Sequence, residues 1–179
     1  MAIKAVAFDV HGTLGAWEWS QGRVLAYDVQ QALERFGIHV SYQVFDAARQ
    51  ATLFLDTLKR PIHGWVDFLA LTFARMELKI STDLLESIAA IYRDKKNFVL
   101  ADDAQSVISN LKSLGLTTCA FTTLPKFMLG PNAAPILTLL DHYFDTPAVG
   151  FAKGDSRYYR RIPDLLDVKP QDIVSIGDD

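Results

Sequence analysis

The sequence predicts an α/β protein: a parallel sheet core into which a block of four helices is inserted. Three observations carry that expectation. Short apolar runs of strand type occur at about residues 3–8, 116–123 and 173–176, with turn-forming residues nearby. Between the first and second of them lie four tracts of helical periodicity and no strand. Carboxylate and hydroxyl side chains stand at or just beyond the ends of the strand-type runs, where open α/β sheets hold their ligands.

The first run belongs to AVAFDVHGTL, residues 5–14. It delivers Asp9 to a strand end, and Gly12 with Thr13 then bends the backbone away. A carboxylate in that position is held rigidly over a pocket, whereas one in a solvated loop is not. The first helical tract covers residues 20–36, with Val24, Leu25, Val29, Ala32, Leu33 and Phe36 at helical spacing, Ser20 as a cap and Gly37 as the stop. A second runs over 42–58 and ends near Arg60-Pro61, because proline cannot continue a helix. The third covers 63–77 and the fourth 82–93. Four consecutive helices predict a small bundle, expected beside the carboxyl edge of the sheet and covering Asp9. The expected division is therefore a core of residues 1–15 and 99–179 and a helical insert of residues 16–98.

Beyond the insert, a helix over 104–114 ends at Gly115, and LTTCAFTT reads as a buried strand with Thr122 and Thr123 at its end. PKFMLGPNAAP is an irregular connection. ILTLLDHYFD covers residues 136–145 and precedes the Gly150-Phe151-Ala152 stretch. Lys153 follows Gly150-Phe151-Ala152, and Asp155 or Ser156 caps a helix that Pro163 is expected to interrupt or kink. A last strand over 173–176 ends in Gly177-Asp178-Asp179.

Composition narrows the function classes. Half of the 179 residues are hydrophobic and 22% are charged, which excludes disordered and collagen-like chains. A formal net charge of −3 without a long like-charged run gives no electrostatic footprint for nucleic acid. The single cysteine, Cys119, lies in an apolar run and points to a reducing, cytoplasmic setting with a buried, inert thiol. No signal-peptide pattern and no apolar run of spanning length is present, so no membrane role is expected and the partner is a small-molecule substrate.

Taken in order, these strand-end motifs resemble those of the haloacid dehalogenase (HAD) superfamily of hydrolases. FDVHGT is similar to its first motif, Asp-x-Asp-Gly-Thr, and puts Asp9 on the covalent nucleophile and His11 where phosphatases of the family keep a second, proton-donating Asp. Thr122 matches the second motif, whose hydroxyl and neighbouring amide hold an oxygen of the transferred group; Thr123 stands where Asn or Ser is usual. ILTLLDHYFD is similar to the family's short helix running into a third strand, which the resemblance puts at about residues 144–149; Lys153 then takes the lysine of the third motif, with Gly154 replacing the customary proline and Tyr159 on the aromatic position a turn and a half on. Gly177-Asp178 resembles the fourth motif, in which the acid binds Mg²⁺.

The resemblance implies a Rossmann-like parallel sheet with a helical cap of the C1 type, and catalysis by Asp9, His11, Lys153 and Thr122. It also implies a Mg²⁺ held by Asp9, the main-chain carbonyl of His11 and Asp178, an oxygen set of the kind that ion prefers. The leading expectation is a Mg²⁺-dependent phosphatase acting on a small phosphorylated metabolite. The alternative is a metal-independent 2-haloacid dehalogenase. It is favoured by the absent second Asp, by the series from Lys153 to Tyr159, and by Arg49-Gln50, where such enzymes place a halide-cradling arginine. A catalytically idle member that binds a partner is the third. Arg49 and Thr123 are the expected substrate contacts, and Trp17, Trp19 and Trp65 are further specificity candidates. The family pattern continues past a fourth motif with another acid, a strand and a helix, so more chain is expected after Asp179.

Overall fold

The structure, a computed structural model, describes residues 2–57, 60–94 and 98–177, and of residues 19–26 the backbone alone. Four strands form an all-parallel sheet in the order β5-β4-β1-β6: β1 is Ala5–Phe8, β4 Thr117–Phe121, β5 His142–Phe144 and β6 Ile173–Ile176. Alternation along the strands covers both faces. Val6, Phe8 and Ala120 pack with α5 (Ala104–Ser113) and α6 (Ala134–Leu139), through Ile108 and Ile136. Ala7, Cys119, Phe121 and Phe144 pack on the other face with Tyr158 and Ile162 of α8 (Ser156–Leu166). Cys119 is fully buried, and burial, followed by the Asp141 charge, pushes its thiol up to about 12. It carries no thiolate character near neutrality.

Helices α1 (Trp19–Arg35), α2 (Tyr42–Ala51), α3 (Trp65–Arg75) and α4 (Thr82–Arg93) form a closed set, each packing on the next and α4 returning to α1. Their apolar faces, through Leu33, Phe45, Phe68, Phe73 and Ile88, join the first sheet face in one continuous core. Ser41 and Ser81 cap α2 and α4 by accepting from Val44 N and Leu84 N, each at 3.3 Å.

Several expected bounds shift for local reasons. The second helical tract is α-helical only to Ala51 and then widens into a π segment, Thr52–Asp56. The hydroxyls of Thr52 and Thr57 donate back to the carbonyls of Ala48 and Leu53, a pattern that loosens the normal ladder. Leu58, its expected end, lies outside the described residues. The third helix starts at Trp65 and not at His63, after an extended Gly64. The strand expected over 144–149 is instead β5 followed by a single helical turn, α7 (Thr146–Val149). Asp145 caps that turn by accepting from Ala148 N at 2.9 Å, and Pro147 sits in the first turn, where no N–H is needed. Pro163 does not interrupt α8: it lies in the last turn, where it forfeits a single ladder bond, and Asp155 rather than Ser156 is the cap.

One element went unforeseen. The chain leaves the sheet through β2 (Gly15–Trp17) and returns through β3 (Phe98–Leu100), and the two strands pair antiparallel. Gly15 permits that pairing, since a Cβ there would stand 2.5 Å from Val99 O and 2.6 Å from the Phe98 ring. Gly15→Ala is therefore expected to destabilise the protein by about 1–3 kcal/mol in denaturant unfolding. An unchanged midpoint would contradict the close approach.

Candidate active site

Asp9 follows β1 directly and is 7% exposed. Its amide donates to Ile176 O at 2.7 Å, which joins it to the carboxyl end of β6. Its Oδ1 accepts from Val10 N at 2.7 Å and its Oδ2 from Lys153 Nζ at 2.6 Å. Two residues 144 positions apart thus form a short, charge-assisted contact with little water around it. The ammonium also lies 4.9 Å from the centre of the Phe121 ring, whose face favours a cation. Lys153 is carried on the turn between α7 and α8, closed by Asp155 N donating to Ala152 O at 2.8 Å.

Thr122 stands at the end of β4 and is 2% exposed. Its Oγ1 accepts from Leu124 N at 3.1 Å, which leaves the hydroxyl proton to donate elsewhere. Its amide donates to Phe144 O at 3.0 Å and to the Tyr158 hydroxyl at 2.8 Å. That hydroxyl in turn donates to Phe144 O at 2.5 Å, tying the ends of β4 and β5 to α8. Burial drives the Tyr158 phenol well above its ordinary range, so it stays a neutral donor. Asp145 completes the support: besides capping α7 it accepts from Lys126 N at 2.9 Å and so holds the segment that follows Thr122.

Tyr158 is the residue sequence reasoning missed. The motif pattern singles out Tyr159, which is 48% exposed and touches the Phe121 ring edge-on at 6.3 Å. The available signal was spacing: Tyr158 and Ile162 lie four apart and face the core together, as one helix face requires.

His11 occupies the turn after Asp9, where Gly12 adopts φ +83° and donates to Gly15 O at 2.9 Å. The imidazole lies against Trp17, ring centres 5.6 Å apart, and its buried Nε2 has no hydrogen-bond partner among the described residues. A buried polar atom without a partner is costly, and a catalytic role is one of the reasons such an atom is kept. Thr123 follows Thr122, half-buried. Arg49 is paired within its own helix, donating from Nε at 3.1 Å and from a terminal nitrogen at 2.7 Å to Asp46 Oδ1. Trp65 stacks on Tyr92 at 4.5 Å and meets Phe127 edge-on at 5.2 Å, linking α3 and α4 to the segment after β4. Asp178 and the side chain of Trp19 lie outside the described residues.

The described residues offer a divalent cation the Asp9 carboxylate and the His11 carbonyl, both hard oxygen donors of the type Mg²⁺ accepts. No group of three or more His, Cys, Asp or Glu side chains among the described residues forms a metal cluster.

A parallel sheet that holds a buried carboxylate after β1 and a hydroxyl after β4, with a lysine from the α7–α8 turn reaching the carboxylate, has the arrangement of a class of α/β hydrolases. The family model for haloacid dehalogenase-like hydrolases matches residues 3–179, and the chain belongs to that family. Among solved structures it is similar to an L-2-haloacid dehalogenase from Xanthobacter autotrophicus with chloropropionic acid covalently bound. That pair shares 21% identity over 97% of this chain and 69% of the other, with a TM-score of 0.58. A HAD phosphatase from Thermococcus onnurineus shares 22% identity over 99% and 78%, with a TM-score of 0.61. A HAD family enzyme from Bacteroides thetaiotaomicron, in complex with magnesium and inorganic phosphate, shares 11% over 99% and 86%, with a TM-score of 0.69. Curated proteins give no significant sequence match. No helix among the described residues is long and apolar enough to cross a membrane.

Proposed function

We propose that the chain is a Mg²⁺-dependent phosphatase that hydrolyses a small phosphorylated metabolite through an aspartyl-phosphate. The observation that carries this reading is the buried Asp9 carboxylate held against Lys153 at 2.6 Å. The carboxylate attacks phosphorus, the bond from phosphorus to the leaving oxygen breaks, and a protonated His11 imidazole gives that oxygen its proton. Neutral His11 then takes a proton from the water that attacks the acyl phosphate, releasing inorganic phosphate and restoring Asp9. Lys153 neutralises charge on the transferred group, and the Thr122 hydroxyl, with Thr123 beside it, donates to its oxygens. Asp9, the His11 carbonyl and Asp178 would hold Mg²⁺, which would supply further charge neutralisation when bound.

Residues 1–15 and 99–179 act in this reading as the catalytic core and residues 16–98 as its cap, which excludes water and sets specificity, Arg49 included. A cytoplasmic location belongs to the same reading, in keeping with a single buried, unpaired cysteine.

The second reading is a metal-independent 2-haloacid dehalogenase, in which Asp9 displaces halide from carbon. His11 in place of a second Asp favours it. The Arg49–Asp46 pair disfavours it, because an arginine already committed to a carboxylate is a poor halide cradle. Incubation with p-nitrophenyl phosphate, with and without Mg²⁺, and in parallel with 2-chloropropionate separates the readings. Metal-dependent phosphate release is the expected outcome. Metal-independent halide release would establish the second reading, and silence in both assays an idle, partner-binding protein.

A further inference from the structure

A cavity of about 640 Å³ lies beside the Lys153 turn, between Arg60-Pro61 and the start of α8. Ala152 and Gly154, the neighbours of Lys153 on either side, both line it, so it adjoins the turn that carries the ammonium contacting Asp9. Its volume falls within the usual range of small-molecule sites. Gly150 and Gly154 leave open space on its wall, since a Cβ at either position would meet nothing within 4 Å.

The charge on its walls is unequal. Arg157 is neutralised by Asp155, to which it donates at 2.6–3.1 Å through Nε and a terminal nitrogen. Among the described residues Arg60 has no carboxylate to itself. It reaches Asp56 Oδ1 at 3.2 Å, while Asp56 Oδ2 accepts two shorter bonds from Arg75, at 2.8 and 3.1 Å. Two guanidiniums therefore share one carboxylate, and the group carries a surplus positive charge at the cavity. Thr146, on the same wall, is 2% exposed, and its Oγ1 has no hydrogen-bond partner among the described residues. Ser156 begins the eleven-residue helix α8 there, with the partial positive charge of a helix N-terminus.

We infer that this cavity binds a second anionic group, a carboxylate or its equivalent, on the part of the substrate that does not react, with Arg60 as the specificity-determining residue. The inference rests on the phosphatase reading for its substrate class, an acidic phosphate monoester, but the cavity's preference for an anion can be tested without turnover. Calorimetry with malonate, a dicarboxylate without phosphorus, is expected to show binding to the wild-type protein, about tenfold weaker for Arg60→Ala and partly restored in Arg60→Lys. In initial-rate assays Arg60→Ala is expected to raise KM for phosphoglycolate about tenfold with kcat nearly unchanged, and to leave both constants for p-nitrophenyl phosphate at wild-type values. Equal malonate affinity in wild type and Arg60→Ala, or no malonate binding by the wild type, overturns the assignment. Hydrolysis of neither ester combined with Arg60-dependent malonate binding sinks the phosphatase reading and upholds the anion site.

Discussion

Asp9→Asn is expected to lower the rate of substrate hydrolysis by about four orders of magnitude or more, as removal of a covalent nucleophile does. The amide nearly matches the carboxylate in size and can still accept from Val10 N, so the turn after β1 has no reason to rearrange. Only the nucleophilic charge and the pairing with Lys153 are lost. Intact-mass measurement after acid quenching adds a second readout: under the phosphatase reading the wild type is expected to carry a phosphoryl adduct during turnover and the variant none. A variant that kept a tenth of wild-type activity would remove Asp9 from the mechanism under either enzymatic reading.

Lys153→Met tests the other half of the pair. Taking a preorganised cation out of a poorly hydrated site is expected to cost about 10²–10³ in kcat. It also leaves the Asp9 carboxylate, 7% exposed, without the ammonium at 2.6 Å. Breaking such a pair from one side destabilises on the order of 3 kcal/mol, because the remaining charge stays desolvated. The double variant Asp9→Asn/Lys153→Met is accordingly expected to be more stable than Lys153→Met alone, with strong non-additivity in chemical denaturation. Additive losses would mean that the two side chains do not interact in solution.

Much of this was legible in the sequence, and the reason is local. The strands β1, β4 and β6 announce themselves by apolar runs, and Asp9 and Thr122 lie directly after two of them, whereas Lys153 follows the helical turn α7 and not a strand. What escaped depends on partners distant along the chain or on a choice between adjacent residues. β2 and β3 are three residues each, too short for a periodic signal, and they form strands because each finds the other some eighty residues away. Tyr158 and Tyr159 are indistinguishable by composition. Placing the cap at Asp155 and the core on one helix face sends the first inward and the second outward. The family resemblance implies a strand after Phe144, whereas the Asp145 side chain and Pro147 favour a helical turn there. Arg49 illustrates the reverse limit: its helix was legible, but its commitment to Asp46 three residues earlier is a rotamer choice that spacing alone leaves open.

The β2–β3 ribbon bears on how the chain finds its fold. Pairing Ala5 with Thr117 in the sheet means bringing together residues 112 positions apart, an encounter with a large entropic barrier. Once Gly15 is zipped to Leu100 the contour between those partners shortens to about a quarter, which lowers the closure cost by about 1 kcal/mol. Assembly of the four helices and the ribbon ahead of the sheet is thus the route of lower barrier. Gly15→Ala should slow refolding in stopped-flow measurements, and not merely accelerate unfolding.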